Sequence, residues 1–238
     1  MVLRRYPVTI VISVAVTIGF VLQWFLPLEA LLQRNGQAIG DGQWWRILTS
    51  VFVQGSGWGQ YIFNTLGMVV VGAAVERTRG SIQWLAVALV AQVGASLAAL
   101  AWAPTVHDSG SSLVVGGLVG MLAVTRFTRP VAWAATTVGY RVFFLTYLAG
   151  LALAGPIVGA VAGSALTGVA VAGVVRSRFS AWASTGVLVV VVVTSVVLVV
   201  AHDQHGVAVL LGIAVALVAG LAPRRHCRPS EPPGTLDS

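Results

Sequence analysis

Lysine is absent, and cysteine occurs once, at Cys227. A lone thiol closes no internal disulfide, and nothing here spaces Cys or His as a zinc finger would. Charge is scarce: Asp, Glu, Lys and Arg make up 9% of 238 residues, against roughly 25% in an average soluble domain. Apolar residues reach 57%, and the mean hydropathy is +0.90. A soluble globular domain is excluded by that balance. Apolar runs of bilayer-spanning length make the chain an all-α polytopic membrane protein.

What charge there is sits in a pattern. All fourteen basic residues are arginine. Arg4/Arg5, Arg77/Arg79, Arg126/Arg129/Arg141, Arg176/Arg178 and Arg224/Arg225/Arg228 fall at alternate ends of the apolar runs, and only Arg34 and Arg46 fall in the other loops. The positive-inside bias therefore puts both termini and the arginine loops on the cytoplasmic side. The net charge of +7 reads as a topology signal, and no nucleic-acid partner is needed to explain it.

Spans are expected at about 8–26, 58–75, 81–103, 112–127, 138–154, 156–175, 183–201 and 205–222. Eight is an even number, consistent with both ends inside. The first run follows Arg4 and Arg5 like a secretory signal, but it ends at Trp24-Phe25-Leu26-Pro27 with no small-residue cleavage site, so a retained span is expected. Eight spans require Gly155-Pro156 to make the turn between the fifth and sixth; as a kink in one continuous helix the pair would change the count. Residues 223–238, rich in Arg and Pro, read as a disordered cytoplasmic tail. Trp44-Trp45-Arg46, in the long segment 27–57, suits the headgroup layer.

With this topology the non-cytoplasmic side collects Gln54, Gln60, His107, Asp108, Ser109, Ser111, Ser112, His202, Asp203, Gln204 and His205. Gln60 and Asn64 are four apart and share a helix face. Polar groups inside a bilayer are costly and usually face the bundle interior or water. Ser112 opens an apolar stretch in which Gly117 and Gly120 allow a close backbone approach. Such a serine caps or packs a helix, or it attacks a carbonyl if a base reaches it. His107, His202 and His205 are the histidines on that side. With Asp108 and Asp203 they could gather a metal, but no recognisable ligand spacing supports one.

Several pieces together resemble the rhomboid intramembrane serine proteases over roughly residues 8–175. They are Gly42-Gln43-Trp44-Trp45-Arg46-Ile47-Leu48-Thr49, Phe63-Asn64, Gly72 to Glu76-Arg77 with Gly80, and Gly110-x-Ser112 with Gly117 and Gly120. The resemblance implies a helical bundle of six core spans, here with an extra C-terminal hairpin at 183–222. It implies Ser112 as nucleophile, an oxyanion site from which Gln60 and Asn64 can donate, no cofactor, and transmembrane proteins as substrates. An integral protein of a bacterial plasma membrane is the matching location.

Departures from that pattern are specific. Gln54 and Gln60 stand where histidines are usual. Leu113 replaces the glycine after the serine, and Gly116 replaces an aromatic residue that packs beside the histidine. In the span 156–175, Val161 occupies the position of the expected base. A second candidate is His205, which opens His205-Gly206-Val207-Ala208-Val209-Leu210-Leu211-Gly212. The hairpin 183–222 looks like a second copy of 138–175, and it begins its return helix on the same side as Ser112. A Ser112–His205 dyad is expected if the last span packs against the fourth, with Asp203 or His202 able to orient the ring. The alternative is a catalytically silent relative that binds membrane-protein clients.

Overall fold

A computed structural model describes residues 6–124, 133–176 and 181–221; the expected tail at 223–238 lies outside them. The described chain is helical, and its one strand-like pairing is an isolated bridge between Arg34 and Asp108. Helix α1 covers Pro7–Leu22. Three short helices follow in the connecting loop: α2 (Leu28–Leu32), α3 (Gly36–Gly40) and α4 (Arg46–Thr49). Helix α5 (Gly57–Gly67) runs through a π-helical turn, Met68–Gly72, into α6 (Ala73–Arg79). Then come α7 (Ser81–Trp102), α8 (Ser112–Ala123), α9 (Trp133–Ala154), α10 (Pro156–Arg176), α11 (Ala181–Val200) and α12 (Gln204–Leu221).

Gly57–Arg79, Ser81–Trp102 and Ala135–Ala154 are long and apolar enough to cross a membrane. The other long helices are apolar but have shorter described stretches.

Helix α8 is the axis of the bundle. It is apolar all round, and every residue from Leu113 to Leu122 is buried, as a helix without a polar face must be. Its glycines determine what lies beside it. A methyl at Gly117 would collide with Ala91 of α7, and one at Gly120 would collide with the Val209 carbonyl of α12. From the other side, Gly212 of α12 sits on the Gly117 carbonyl. Small residues thus let α8 and α12 approach backbone to backbone, running in the same direction with their N-termini together.

The remaining helices are pinned by a few buried polar bonds and rings. Glu76 takes the Val8 and Thr9 N–H groups, both at 2.9 Å, and the Ser81 hydroxyl at 2.7 Å. Those N–H groups are donors in the first turn of α1 that have no intrahelical acceptor. Phe20 of α1 stacks on Tyr61 of α5 with ring centroids 4.2 Å apart. Gln92 of α7 donates to the Ile47 carbonyl at 2.9 Å and so anchors α4.

The turn between α9 and α10 is made by Gly155, at φ +91°, and Pro156 in the first position of the next helix. Gly150 and Gly159 let the two helices cross closely. In space, α10 packs mainly on α9 and turns Ile157, Val161 and Val169 outward, while α12 lies against α8 and α7. The hairpin expected as an addition at 183–222 therefore runs into the centre of the bundle, and the one at 138–175 carries the outermost helix.

Candidate active site

Ser112 is the first residue of α8, and His205 is in the first turn of α12. Because the two helices are parallel and nearly touching, their first turns face each other. His205 Nε2 lies 2.9 Å from Ser112 Oγ. A ring nitrogen at that distance can accept the hydroxyl proton. His107 and His202 are exposed, and His202 lies against Trp102 instead, 5.4 Å between ring centroids.

The opposite ring nitrogen of His205 is held by Asp203, with Nδ1 2.6 Å from Oδ1. The same oxygen accepts the His205 backbone N–H at 2.8 Å. Burial opposes ionisation of Asp203, yet the ring hydrogen bond, the charge of His205 and the backbone bond together leave its carboxyl below the ordinary value. A depressed carboxylate stabilises the fold above its unfolded pKa and loses that contribution as pH falls through the folded value. Unfolding temperature in detergent is thus expected to drop below about pH 4, and Asp203→Asn is expected to remove part of that acid sensitivity. An identical acid profile in wild type and variant would contradict this.

Around the pair, the loop before α8 is shaped by Gly110, whose φ of +129° favours glycine. A methyl there would collide with the Gln60 amide and come within 3.3 Å of Asn64 Nδ2. Gln60 and Asn64 therefore lie against Gly110, two residues before Ser112. Gln60 Nε2 donates to the Ser109 carbonyl at 2.7 Å, and Asn64 Nδ2 donates to Gln54 Oε1 at 2.9 Å. Each side-chain amide has a second N–H. Gln54 is fully buried, and Gln23 at the end of α1 clamps its backbone at both N–H and carbonyl.

An aromatic ring does stand beside His205, although Gly116 does not supply it. Phe144 of α9 meets the imidazole edge-on, 6.3 Å between centroids. Gly116 instead leaves room for Ala208 and Val209 of α12. Val161 on α10 is 66% exposed on the outside of the bundle.

A second cluster ties the start of α12 to the rest. Arg34 and Asp108 pair through backbone bonds of 2.8 and 3.1 Å and through a side-chain contact of 3.2 Å. Gln204 bridges them, donating to Asp108 and accepting from Arg34. Arg34 is 4% exposed and Arg46 is 7% exposed, the latter binding the Ala30 and Gln33 carbonyls. Trp44 and Trp45 are exposed, but Arg46 turns inward and is buried among protein groups. Sequence reasoning missed the roles of Arg34, Gln204 and Gln54. A usable signal was present for one of them. Arg34 and Arg46 break the arginine bias, and a guanidinium on the arginine-poor side is a candidate for binding by protein groups. Among the described residues, no three His, Cys, Asp or Glu side chains gather as metal ligands.

Residues 41–178, more than half of the chain, match the family model described as Rhomboid domain. Over 102 residues, 43% of this chain, the sequence is 33% identical to a protein named Rhomboid protease GluP, from Bacillus subtilis (strain 168). The match spans 20% of that relative's length. The family match ends before α11 and α12, so the helix that carries His205 lies beyond it.

Proposed function

The chain belongs to the rhomboid family and is an integral membrane protein, and from that premise we propose that it is an intramembrane serine protease. It hydrolyses peptide bonds in or near membrane-spanning segments of other proteins, with Ser112 as nucleophile and His205 as general base. The observation that carries this reading is the 2.9 Å approach of His205 Nε2 to Ser112 Oγ, made between residues 93 positions apart.

In this mechanism Ser112 Oγ adds to the scissile carbonyl carbon while its proton passes to His205 Nε2, and the carbonyl π pair moves onto oxygen. Collapse of that intermediate breaks the C–N bond, and Nε2 returns the proton to the departing amine. Water, deprotonated by Nε2, then splits the acyl ester and frees the Ser112 hydroxyl. The oxyanion finds donors in the Ser112 backbone N–H, which has no intrahelical acceptor, and in the second N–H of Asn64 and of Gln60. It also sits at the positive end of α8. The chemistry requires no cofactor or metal.

Depth supports a site within the membrane. The 12 residues of α8 span about 18 Å at 1.5 Å per residue, little more than half of a ~30 Å hydrocarbon layer. If α8 reaches the opposite surface, Ser112 opens inside the layer. Irregular backbone at such depth is tolerated only when protein covers it. Ser109, Gly110 and Ser111, just ahead of Ser112, are buried. The proposal includes eight spans, a single membrane domain through residue 222, and cytoplasmic termini in a bacterial plasma membrane, on the strength of the arginine bias.

Purified protein in liposomes with a single-span substrate tests the reading. The wild type is expected to yield two fragments, and Ser112→Ala none. Asn64→Ala and Gln60→Ala are each expected to lower kcat by about 10²–10³-fold, the usual loss for one oxyanion donor; unchanged rates would remove them from that role. The second reading, a catalytically silent client binder, is favoured by the replacements at Gln60, Leu113, Gly116 and Val161. A wild type that retains the substrate uncut would decide for it.

A further inference from the structure

We propose that Asp203 is a third member of the site, a positioning residue that holds the His205 ring rotated and protonated so that the lone pair of Nε2 faces Ser112. The proposal rests on the protease reading above and adds to it a carboxylate that the Ser–His pairing does not require.

Geometry carries it. Asp203 Oδ1 accepts from both Nδ1, at 2.6 Å, and the His205 backbone N–H, at 2.8 Å. A carboxylate accepts only, so the proton of the neutral ring lies on Nδ1 and Nε2 is left basic. That assignment follows from the hydrogen-bond network. Two anchors on one oxygen restrict rotation of the ring about its side-chain bonds.

Asp203 is itself fixed by the tight connection between α11 and α12. His202 adopts a left-handed φ of 57°, a conformation that non-glycine residues seldom hold without support. Its N–H bonds the Val199 carbonyl at 3.0 Å, and the Asp203 N–H bonds the Leu198 carbonyl at 2.8 Å. Gly206, one turn into the hairpin, lies against the Ser195 carbonyl and the Leu198 side chain. On the other side of Asp203, Gln204 is held by Arg34 and Asp108. The carboxylate is thus presented from a connection closed at both ends.

The other charged groups acting on the imidazole are Asp108 and Arg34, which pair with each other at 3.2 Å. Helix α8 offers the ring the Ser112 hydroxyl, and α9 offers the Phe144 edge. Asp203 is the carboxylate bonded to the ring. When Nε2 takes the Ser112 proton, Asp203 stays ionised beside the imidazolium and receives no proton itself.

A helix cap alone would also place an Asp at this position, and the test separates the two roles. Asn and Ser both cap helices, so Asp203→Asn and Asp203→Ser preserve that function without the charge. The rate at which a fluorophosphonate modifies Ser112 in the full chain, in detergent, is expected to fall about 10²–10⁴-fold in both variants, while Tm falls only by what the Asp203 carboxylate contributes to stability and both variants stay folded. Asp203→Glu is expected to recover part of the rate. In ¹⁵N-histidine-labelled protein, a low-field Nδ1 proton, missing in His205→Ala, is expected in the wild type and absent from Asp203→Ser. Variants that react within threefold of the wild type, or a low-field proton that persists in Asp203→Ser, would overturn the proposal. A wild type that never reacts contradicts the protease reading instead, and the proton resonance still reports whether Asp203 fixes the ring.

Discussion

Replacing His205 with alanine is expected to slow substrate cleavage by a factor of about 10⁴ or more, leaving only what binding and oxyanion donors supply. The reason is distance. Of the histidines on the Ser112 side, His205 is the one within bonding reach of the hydroxyl, at 2.9 Å, while His107 and His202 are exposed. His202→Ala is therefore expected to retain most of the activity. A more demanding comparison places histidine where the resembled pattern has it. Val161→His puts an imidazole on the outer face of α10, where Val161 is 66% exposed, and it is expected neither to raise the wild-type rate nor to rescue His205→Ala. A Val161→His change that restored cleavage to His205→Ala would mean that α10, and not α12, lies beside Ser112 in the working protein.

Gly212→Ala is expected to lower the cleavage rate about 100-fold, although it touches neither reacting group. The added methyl has no space: it would meet the Gly117 carbonyl oxygen, with the Gly117 carbonyl carbon 2.8 Å and Cα 3.0 Å away. These are backbone atoms of the most buried helix, so no side chain can swing aside. The relief is a separation of α8 and α12, and overpacking of this kind costs about 1–3 kcal/mol. A shift near 1 Å between Ser112 and His205 is enough to lower the rate by about 100-fold. Gly168→Ala is the control. Nothing lies within 4 Å of its added methyl, and alanine in a helix interior stabilises by about 0.5–1 kcal/mol relative to glycine. Cleavage rates and Tm measured for both variants should diverge. Equal rates would mean that the glycine interlock does not set the Ser112–His205 distance.

The class of the protein was legible because it follows from composition and from the spacing of apolar runs. Each expected span has a helix at its position, and Ser112 and His205 each begin one. What periodicity could not decide was which hairpin enters the bundle. The segments 138–175 and 183–222 carry similar glycine and apolar patterns, and an apolar helix advertises no preferred face. The choice is made by contacts far apart in sequence, such as Gly212 on Gly117 and Gly120 on Val209. The Arg34–Asp108–Gln204 cluster was illegible for the same reason: its members come from three loops or helix starts. Gln54 and Gln60 stand out in the sequence only as replacements for histidine, because the groups they bond lie on other loops and helices. Gln54 supports Asn64, and Gln60 supports the Ser109 carbonyl.

Arg46 marks the limit of reading an interface motif by composition. Trp44 and Trp45 behave as amphipathic surface rings, yet the arginine beside them folds inward to satisfy carbonyls at the end of α2 and just after it. In a chain with so few charges, a buried guanidinium is more informative than an exposed one.

The central claim is that the imidazole of α12 activates the hydroxyl that opens α8. The most direct measurement is the mass of purified protein after reaction with a fluorophosphonate, with the adduct mapped to a peptide. One adduct on Ser112 is predicted for the wild type, none for Ser112→Ala, and little for His205→Ala over the same time. No adduct on the wild type, or one on Ser109 or Ser111 that survives in Ser112→Ala, would contradict it.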